Sequence, residues 1–419
     1  MSHNPHISNH AGKCIRCGLC MSVCPVYQVS LEETDVARGK MALLDWEKDQ
    51  PDAKQLSRFQ DAISRCLLCG ACSQVCPNQV PTNNCIQQVR QKLPTTTREK
   101  LLMKSLSTVS KNGWSGRLFR KSASIFQTLI GKGLPEKSGM HLRFPLTSLT
   151  HRKYIPKLSA NPFTTRYVLK KTSQLKRILY FTGCGANYFF DNTAHALTTI
   201  LERNNHYPYV PETQTCCGLP FYAAGDMVHA AALARQNIDT IDKLSPDIIL
   251  TTCASCGAQI HRWPELLKHE PDYDARARNI ANSQKDATSF VLENCYPIER
   301  LSSQCSNENI LYHHPCHMRW GETKASVPNE LFEPFDKIKV NYSDSLCCGN
   351  GGKFQISHFD LSMNIFDQRL DLFAKYAINY VLTPCTGCQL QFCEGLLQKG
   401  ISVPVLHPLA WLYDIGCIE

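Results

Sequence analysis

The chain has 419 residues, 23 of them cysteine, and a formal net charge of +9. That length suits two to four domains with a substantial core, and no run of about 18 apolar residues occurs, which argues against a membrane-spanning helix. The opening "MSHNPHISNH" lacks the basic start and apolar stretch of an export signal, so the many thiols point to a reducing, cytoplasmic setting where cysteines bind metal rather than pair as disulfides.

Residues 1–95 hold two tight cysteine runs. "CIRCGLCMSVCP" supplies Cys14, Cys17, Cys20 and Cys24 before Pro25, and "CLLCGACSQVCP" supplies Cys66, Cys69, Cys72 and Cys76 before Pro77. Both have the bacterial ferredoxin spacing, in which the fourth cysteine ligates the other cluster of a two-cluster domain. The spacing therefore predicts two 4Fe–4S cubanes, one on Cys14, Cys17, Cys20 and Cys76, the other on Cys66, Cys69, Cys72 and Cys24. Gly18, Gly70 and Ala71 are small enough to let the backbone approach the sulfides. Structural zinc is the alternative for any four cysteines, but its paired cysteines are usually separated by a longer loop. Between the runs, "VARGKMALLDWEKD" and "DAKQLSRFQDAIS" have the composition of helices, which predicts an α-helical ferredoxin domain.

Residues 96–176 contain no cysteine and form a basic connector. From Thr97 to Arg177 there are 18 Lys/Arg against two acids, Glu99 and Glu136, so this stretch carries all the positive character of the chain. "GRLFRKSASIFQTLIGKGL" (116–134) sets Leu118, Phe119, Ile125, Phe126, Leu129 and Ile130 broadly along one helical face with basic residues at its ends and flank. That is the pattern of an interfacial helix on an anionic membrane, and equally that of an ordinary core-facing helix with a solvated side. No nucleic-acid recognition motif accompanies the charge.

Residues 177–419 contain an internal repeat. Cys184, Cys216, Cys253 and Cys256 recur as Cys316, Cys347, Cys385 and Cys388 at offsets of 132, 131, 132 and 132 residues. The flanks repeat too: "RILYFTGC" with "NILYHHPC", and "DIILTTCASC" with "NYVLTPCTGC". These short apolar runs predict buried strands, and "MVHAAALARQNIDTIDKL" and "LSMNIFDQRLDLFAKYA" predict helices between them. The result is an α+β multidomain chain: a helical ferredoxin domain followed by two α/β lobes, 177–305 and 306–419, with cysteines at the carboxyl edges of parallel sheets. Each lobe offers five thiols, because Cys217 and Cys348 make vicinal pairs with Cys216 and Cys347 ahead of Gly218 and Gly349. Five is one too many for tetrahedral zinc or a simple cubane, which predicts an unusual iron–sulfur site.

This five-cysteine pattern resembles the CCG module of heterodisulfide reductase subunits. The resemblance implies a non-cubane 4Fe–4S cluster on Cys184, Cys216, Cys217, Cys253 and Cys256 and another on Cys316, Cys347, Cys348, Cys385 and Cys388, with zinc as the alternative at one of them. With "CIRCGLCMSVCPVYQ…ARGKMALL" in front and "HHPCH…CCGNGG" behind, nearly all of residues 10–415 resembles the iron–sulfur subunit of glycolate oxidase, D-lactate dehydrogenase and anaerobic glycerol-3-phosphate dehydrogenase. The family implies an electron-transfer subunit of an oxidoreductase, fed by an FAD-containing 2-hydroxy-acid dehydrogenase partner and discharging to quinone or another acceptor. It also adds weight to a peripheral position on the inner face of the cytoplasmic membrane. Members of the glycolate oxidase type often lack part of the first five-cysteine set. This chain keeps all ten thiols, which favours the second reading, a catalytic disulfide reductase. A zinc-stabilised scaffold is the third.

Cys85, Cys295, Cys305, Cys393 and Cys417 match no motif and are expected to be inert buried thiols. His313, His314 and His317 flank Cys316 and are placed either to donate hydrogen bonds to cluster sulfurs or simply to pack. No dinucleotide fingerprint, phosphate loop or nucleophile–histidine–acid set occurs, so substrate oxidation is expected in a partner.

Overall fold

The structure, a computed structural model, describes residues 11–46, 53–93, 131–133, 140–142, 152–159, 161–170, 176–295, 307–320, 329–343 and 347–414. The N-terminal part is helical: α1 (Ala37–Trp46), α2 (Ala53–Ser64) and α3 (Thr82–Lys92). Their apolar residues recur one helical turn apart, so Met41 and Leu44, Phe59 and Ile63, and Cys85, Ile86 and Val89 meet in one small core. The two cysteine runs wrap its edge as turns. Each is bent by a glycine in the left-handed region, Gly18 at φ 88° and Gly70 at φ 87°, where any side chain would be strained. Arg16 and Leu68, two residues earlier, share positive φ values of 58° and 54°, so the runs repeat in backbone as well as in sequence.

A buried polar pin joins α1 to α2. Lys40 Nζ donates to the carbonyls of Thr34 at 2.8 Å and Ala62 at 2.6 Å. It also faces the buried Asp35 carboxylate across 3.8 Å, which Arg65 Nε reaches at 3.2 Å.

In the connector, β1 (Gly131–Gly133), β2 (Met140–Leu142) and β3 (Tyr154–Ile155) form an antiparallel sheet. This corrects the helix expected over 116–134 at its end: residues 116–130 and 134 lie outside the described residues, and Gly131–Gly133 are strand. Two glycines around Lys132 disfavour helix by about 1 kcal/mol each, and pairing with β2 satisfies their backbone. Part of the basic charge is spent on the following repeats, through Arg166–Asp191 and Lys170–Glu202, both at 2.6 Å. No helix among the described residues is long and apolar enough to cross a membrane.

The first repeat runs β4 (Ile178–Tyr180), α4 (Asp191–Arg203), α5 (Leu219–Ala224), α6 (Met227–Asp242), β5 (Ile248–Thr251), α7 (Ala254–Leu266), α8 (Pro271–Ser283), β6 (Gln284–Asp286) and α9 (Ala287–Asn294). The second runs β7 (Glu308–Tyr312), β8 (Ile338–Tyr342), α10 (Lys353–Ser357), α11 (Phe359–Asp367), α12 (Leu370–Tyr376), β9 (Tyr380–Leu382), α13 (Thr386–Gln398), β10 (Val405–Leu406) and α14 (Pro408–Asp414). Both sheets are parallel, ordered β4-β5-β6 and β10-β9-β7-β8. In the first repeat the place of β8 is taken by one parallel bridge at Tyr209, which exchanges backbone hydrogen bonds with Ile178 and Tyr180 at 2.8 Å. The strand order thus reverses direction beside β4 and β7. Open parallel sheets bind ligands outside their carboxyl ends at such a point, and Cys184, Cys253, Cys316 and Cys385 follow those ends.

One predicted helix differs. "LSMNIFDQRLDLFAKYA" breaks into α11 and α12, whereas the matching segment of the first repeat is the single helix α6. The break falls at Arg369, whose backbone leaves helical geometry (φ −111°, ψ 3°) while its side chain turns into the interior.

The two repeats share their cores. Phe181 and Trp263 of the first pack in one cluster with Phe366 and Phe392 of the second, and Tyr180 in another with Tyr312 and Trp411. The seam is tight at Gly185, where a Cβ would lie 1.9 Å from Thr386 Oγ1. Gly185→Ala should therefore cost about 1–3 kcal/mol by overpacking, seen as a lower apparent melting temperature, and Thr386→Ala should recover part of the loss.

Candidate metal centres

Two small cavities sit at the edge of the helical part. Cys24, Cys66, Cys69 and Cys72 line one, with Asp35, Lys40 and Thr82. Cys14, Cys17, Cys20 and Cys76 line the other, with Arg38 and Met41, and Cys72 borders both. The fourth cysteine of each run therefore faces the first three of the other. Backbone N–H groups point at these sulfurs: Leu68 donates to Cys66 Sγ and Val80 to Cys76 Sγ, both at 3.5 Å. Burial pushes the Cys24 thiol up to about 11 and Cys72 up to about 12.

In the repeats, the two CxxC pairs open α7 and α13 in the same way. Cys253 and Cys385 stand at the N-cap in extended backbone, and Cys256 and Cys388 lie in the first turn. The vicinal pairs are bent inward by Gly218 (φ 94°) and Gly349 (φ 92°). These turns bring the five sulfurs of each set together. Cys216 shares hydrogen bonds with Cys184 and Cys217, Cys217 with Cys256, and Cys256 with Cys253. Cys347 likewise contacts Cys316 and Cys348, and Cys388 contacts Cys348 and Cys385.

Cys253 also hydrogen-bonds Cys385, so the two sets touch across the seam. On the opposite side Cys69 lies within electrostatic range of Cys347, and Cys316 within range of Cys69. Val26 and Leu67 pack there with Phe354 and Ile365, with Cys24, Cys69 and Cys347 against them. The eighteen thiols thus form one run in the order first ferredoxin set, second ferredoxin set, second repeat, first repeat.

The donor set fits metal. The thiols are free and all ten in the repeats are largely buried. The Cys253 hydrogen bond and burial hold Cys385 protonated, up to about 12. Hydrogen bonds from neighbouring thiols favour the thiolate at Cys216, Cys253 and Cys347, but five buried thiols cannot all ionise together without a cation, and a bound metal supplies that charge by deprotonating the sulfurs it holds. The glycines keep the approach clear: a Cβ on Gly183 would come within 2.7 Å of Cys256 Sγ.

Among the unassigned thiols, Cys85 is buried in the helical core and Cys393 is buried beside Tyr154, while Cys295 is half-buried. Cys305 and Cys417 lie outside the described residues. The three histidines separate. His317 Nδ1 contacts Ser255 Oγ at 2.9 Å, and that hydroxyl reaches Cys385 Sγ at 3.2 Å. His314 is not within the sulfur group, whereas His313 is fully buried against Cys348 and Cys388. Sequence reasoning missed Lys40, Arg90 and Arg369. Arg90 binds the carbonyls of Ile63, Ser64, Cys66 and Ala223, stapling the second cysteine run to the first repeat. Nothing in local spacing marks such residues, although lining up the repeats beyond their cysteines exposes Arg369.

Family comparison agrees with this layout. Residues 10–80 match the 4Fe-4S dicluster domain family, and residues 178–261 and 310–393 each match the cysteine-rich domain family. The chain is 26% identical over 407 residues to the probable glycolate oxidase iron-sulfur subunit of Bacillus subtilis, covering 93% of this chain and 90% of that protein. It is 24% identical over 395 residues to the glycolate oxidase iron-sulfur subunit of Escherichia coli, covering 91% and 89%. It is 23% identical over 406 residues to a subunit of the CoM/CoB fumarate reductase of Methanothermobacter marburgensis, covering 95% and 71%. A crystal structure of a hypothetical protein from Helicobacter pylori shares the fold at a TM-score of 0.53 and 8% identity, over 99% of this chain and 75% of that one. Fold and site define an iron–sulfur protein with a dicluster ferredoxin part and duplicated cysteine-rich repeats. Over nearly its whole length the chain is similar to iron–sulfur subunits of the glycolate oxidase type, which are subunits of oxidoreductases.

Proposed function

We propose that the chain is the electron-transfer subunit of a 2-hydroxy-acid dehydrogenase, taking electrons from an FAD-containing partner that oxidises glycolate or D-lactate and passing them to quinone or another acceptor. The observation that carries this reading is the unbroken run of eighteen thiols described above. Cys14, Cys17, Cys20 and Cys76 would hold one cubane, and Cys66, Cys69, Cys72 and Cys24 the other. Each five-cysteine set would hold a non-cubane cluster, with zinc the alternative at one of them. Iron–sulfur clusters supply one-electron redox centres whose potentials follow charge, hydrogen bonding and burial. The chain's own residues bury most of the sulfurs, Cys17 being exposed, aim amide N–H groups at some of them and set the local charge. The basic stretch from Thr97 to Arg177 would face an acidic partner or anionic lipid.

The test is iron, zinc and sulfide analysis with low-temperature EPR on anaerobically purified protein, repeated on Cys217→Ser and Cys348→Ser. About sixteen irons, with one signal lost per variant, is the expected result. About eight irons plus zinc would remove the repeats from the relay.

One observation favours a second reading, disulfide reduction. A cavity of about 370 Å³ lies where the second cysteine run meets both repeats, lined by Gly70, Asn83, Tyr222, Arg262, His317 and Trp320. It is large enough for a small molecule.

A further inference from the structure

The repeats match in fold and in thiols, but not in what surrounds the thiols. Lining up "RILYFTGC" with "NILYHHPC" places Phe181 opposite His313. Phe181 packs edge-on against Trp263 in the core. His313 is fully buried, neither ring nitrogen has a hydrogen-bond partner among the described residues, and one of its nitrogens and the sulfurs of Cys348 and Cys388 all lie within 4.8 Å of one another. A buried imidazole with both nitrogens unsatisfied is costly, and a group bound among those sulfurs would partner it. On the side of the first set, the buried imidazole of His407 lies in electrostatic range of Cys253 and already accepts from Leu409 N–H through Nδ1.

A second difference lies one layer out. Asn237 Nδ2 donates to the carbonyl of Cys216 at 3.0 Å, and in the second repeat the same role falls to Arg369, whose guanidinium donates to the carbonyl of Cys347. Arg369 is fully buried, stacks on Phe366 and Phe392, and leaves Nε without a partner. No carboxylate pairs with it among the described residues; the charged groups it feels are Cys348, Cys347 and Cys388. Guanidinium stays protonated even in such surroundings, and an unpaired buried cation is costly unless a counter-charge sits close by. The counter-charge available is the metal-bound thiolate set itself. The first repeat instead has the buried carboxylate Asp286 in electrostatic range of Cys253.

We propose that the centre in the second repeat carries a nitrogen donor from His313 and a fixed positive charge from Arg369, which make it the more easily reduced of the two. The inference rests on the proposed metal occupancy of that site. A neutral imidazole that takes the place of one of the five thiolates at an iron raises the potential of an iron–sulfur centre, and a nearby cation favours the more negative, reduced state. The second repeat also lies beside Cys69 of the ferredoxin part, so electrons arriving there would settle at this centre before reaching the first repeat.

The test uses anaerobic full-length protein, taking the signal lost in Cys348→Ser as the reporter of the second repeat. Pulsed EPR should show a strongly coupled ¹⁴N nucleus in the wild-type signal, absent in His313→Phe. Redox titration should place this centre above the one lost in Cys217→Ser. His313→Phe and Arg369→Asn should each move it to lower potential and leave the other centre unmoved. Both substitutions install what the first repeat already accommodates, and once the two cysteine variants have assigned the signals, the wild-type measurement needs neither of them. A signal without nitrogen coupling, or a titration that places this centre at or below the other, overturns the inference and leaves the relay standing. If the site holds zinc instead, the relay through the repeats fails, and zinc X-ray absorption decides the ligand: a nitrogen neighbour lost in His313→Phe upholds His313, and an all-sulfur shell overturns it.

Discussion

Cys24→Ala should cost the protein about four irons and abolish the same paramagnetic centre as Cys69→Ala, not the one lost in Cys17→Ala. Cys24 belongs by sequence to the first run, and its local neighbours are Cys17 and Cys20. In space it lines the cavity of Cys66, Cys69 and Cys72, and after burial it is Cys66 among the thiols that pushes its pKa up. Cys76 makes the reciprocal exchange, lining the cavity of Cys14, Cys17 and Cys20. The reciprocal variant Cys76→Ala should therefore behave as Cys17→Ala does. If Cys24→Ala and Cys17→Ala instead lose one common signal, each run holds its own cluster and the crossed assignment is wrong. Because each cluster would tie the two runs together, either loss should also lower the apparent melting temperature of the helical part.

The second large effect is expected at Lys40. Its ammonium is almost completely buried and holds α1 to α2 through the carbonyls of Thr34 and Ala62 while facing Asp35. Lys40→Met fits the space but leaves the buried Asp35 carboxylate with Arg65 alone, which is itself partly exposed. Removing one partner of a buried pair costs about 3–5 kcal/mol, an apparent melting shift on the order of 5–10 °C. Adding Asp35→Asn should recover much of the loss, because the remaining charge is then gone. Lys40 also lies in electrostatic range of Cys24 and Cys66, so the second ferredoxin centre should become harder to reduce in Lys40→Met. An unchanged melting temperature in the single variant would mean that Arg65 compensates Asp35 unaided.

The elements carrying the sites were legible because their signals are local. Alternating turns and apolar runs marked β4, β5, β7 and β9, and the offset of 132 residues identified the duplication from the residues alone. The helix over 116–134 misled at its end because Gly131 and Gly133 could find a partner strand in β2, and a helical periodicity does not register such a partner. The break at Arg369 was hidden for a related reason. The apolar spacing of "LSMNIFDQRLDLFAKYA" continues through it, while the guanidinium is drawn inward by a carbonyl distant in sequence, that of Cys347. Burial of a charged residue is a property of the packed molecule, and composition alone predicts the opposite.

By itself the sequence determined which thiols cluster and that they come in two ferredoxin runs and two five-cysteine sets, since spacing along a helix cap or a glycine turn dictates which thiols converge locally. Only the tertiary structure decided how those sets adjoin. Cys253 meets Cys385 because the two repeats share their cores, and Cys69 approaches Cys347 because Val26 and Leu67 pack against Phe354 and Ile365. Such contacts depend on apolar burial between segments far apart in the chain, which is non-directional and leaves no mark in local spacing.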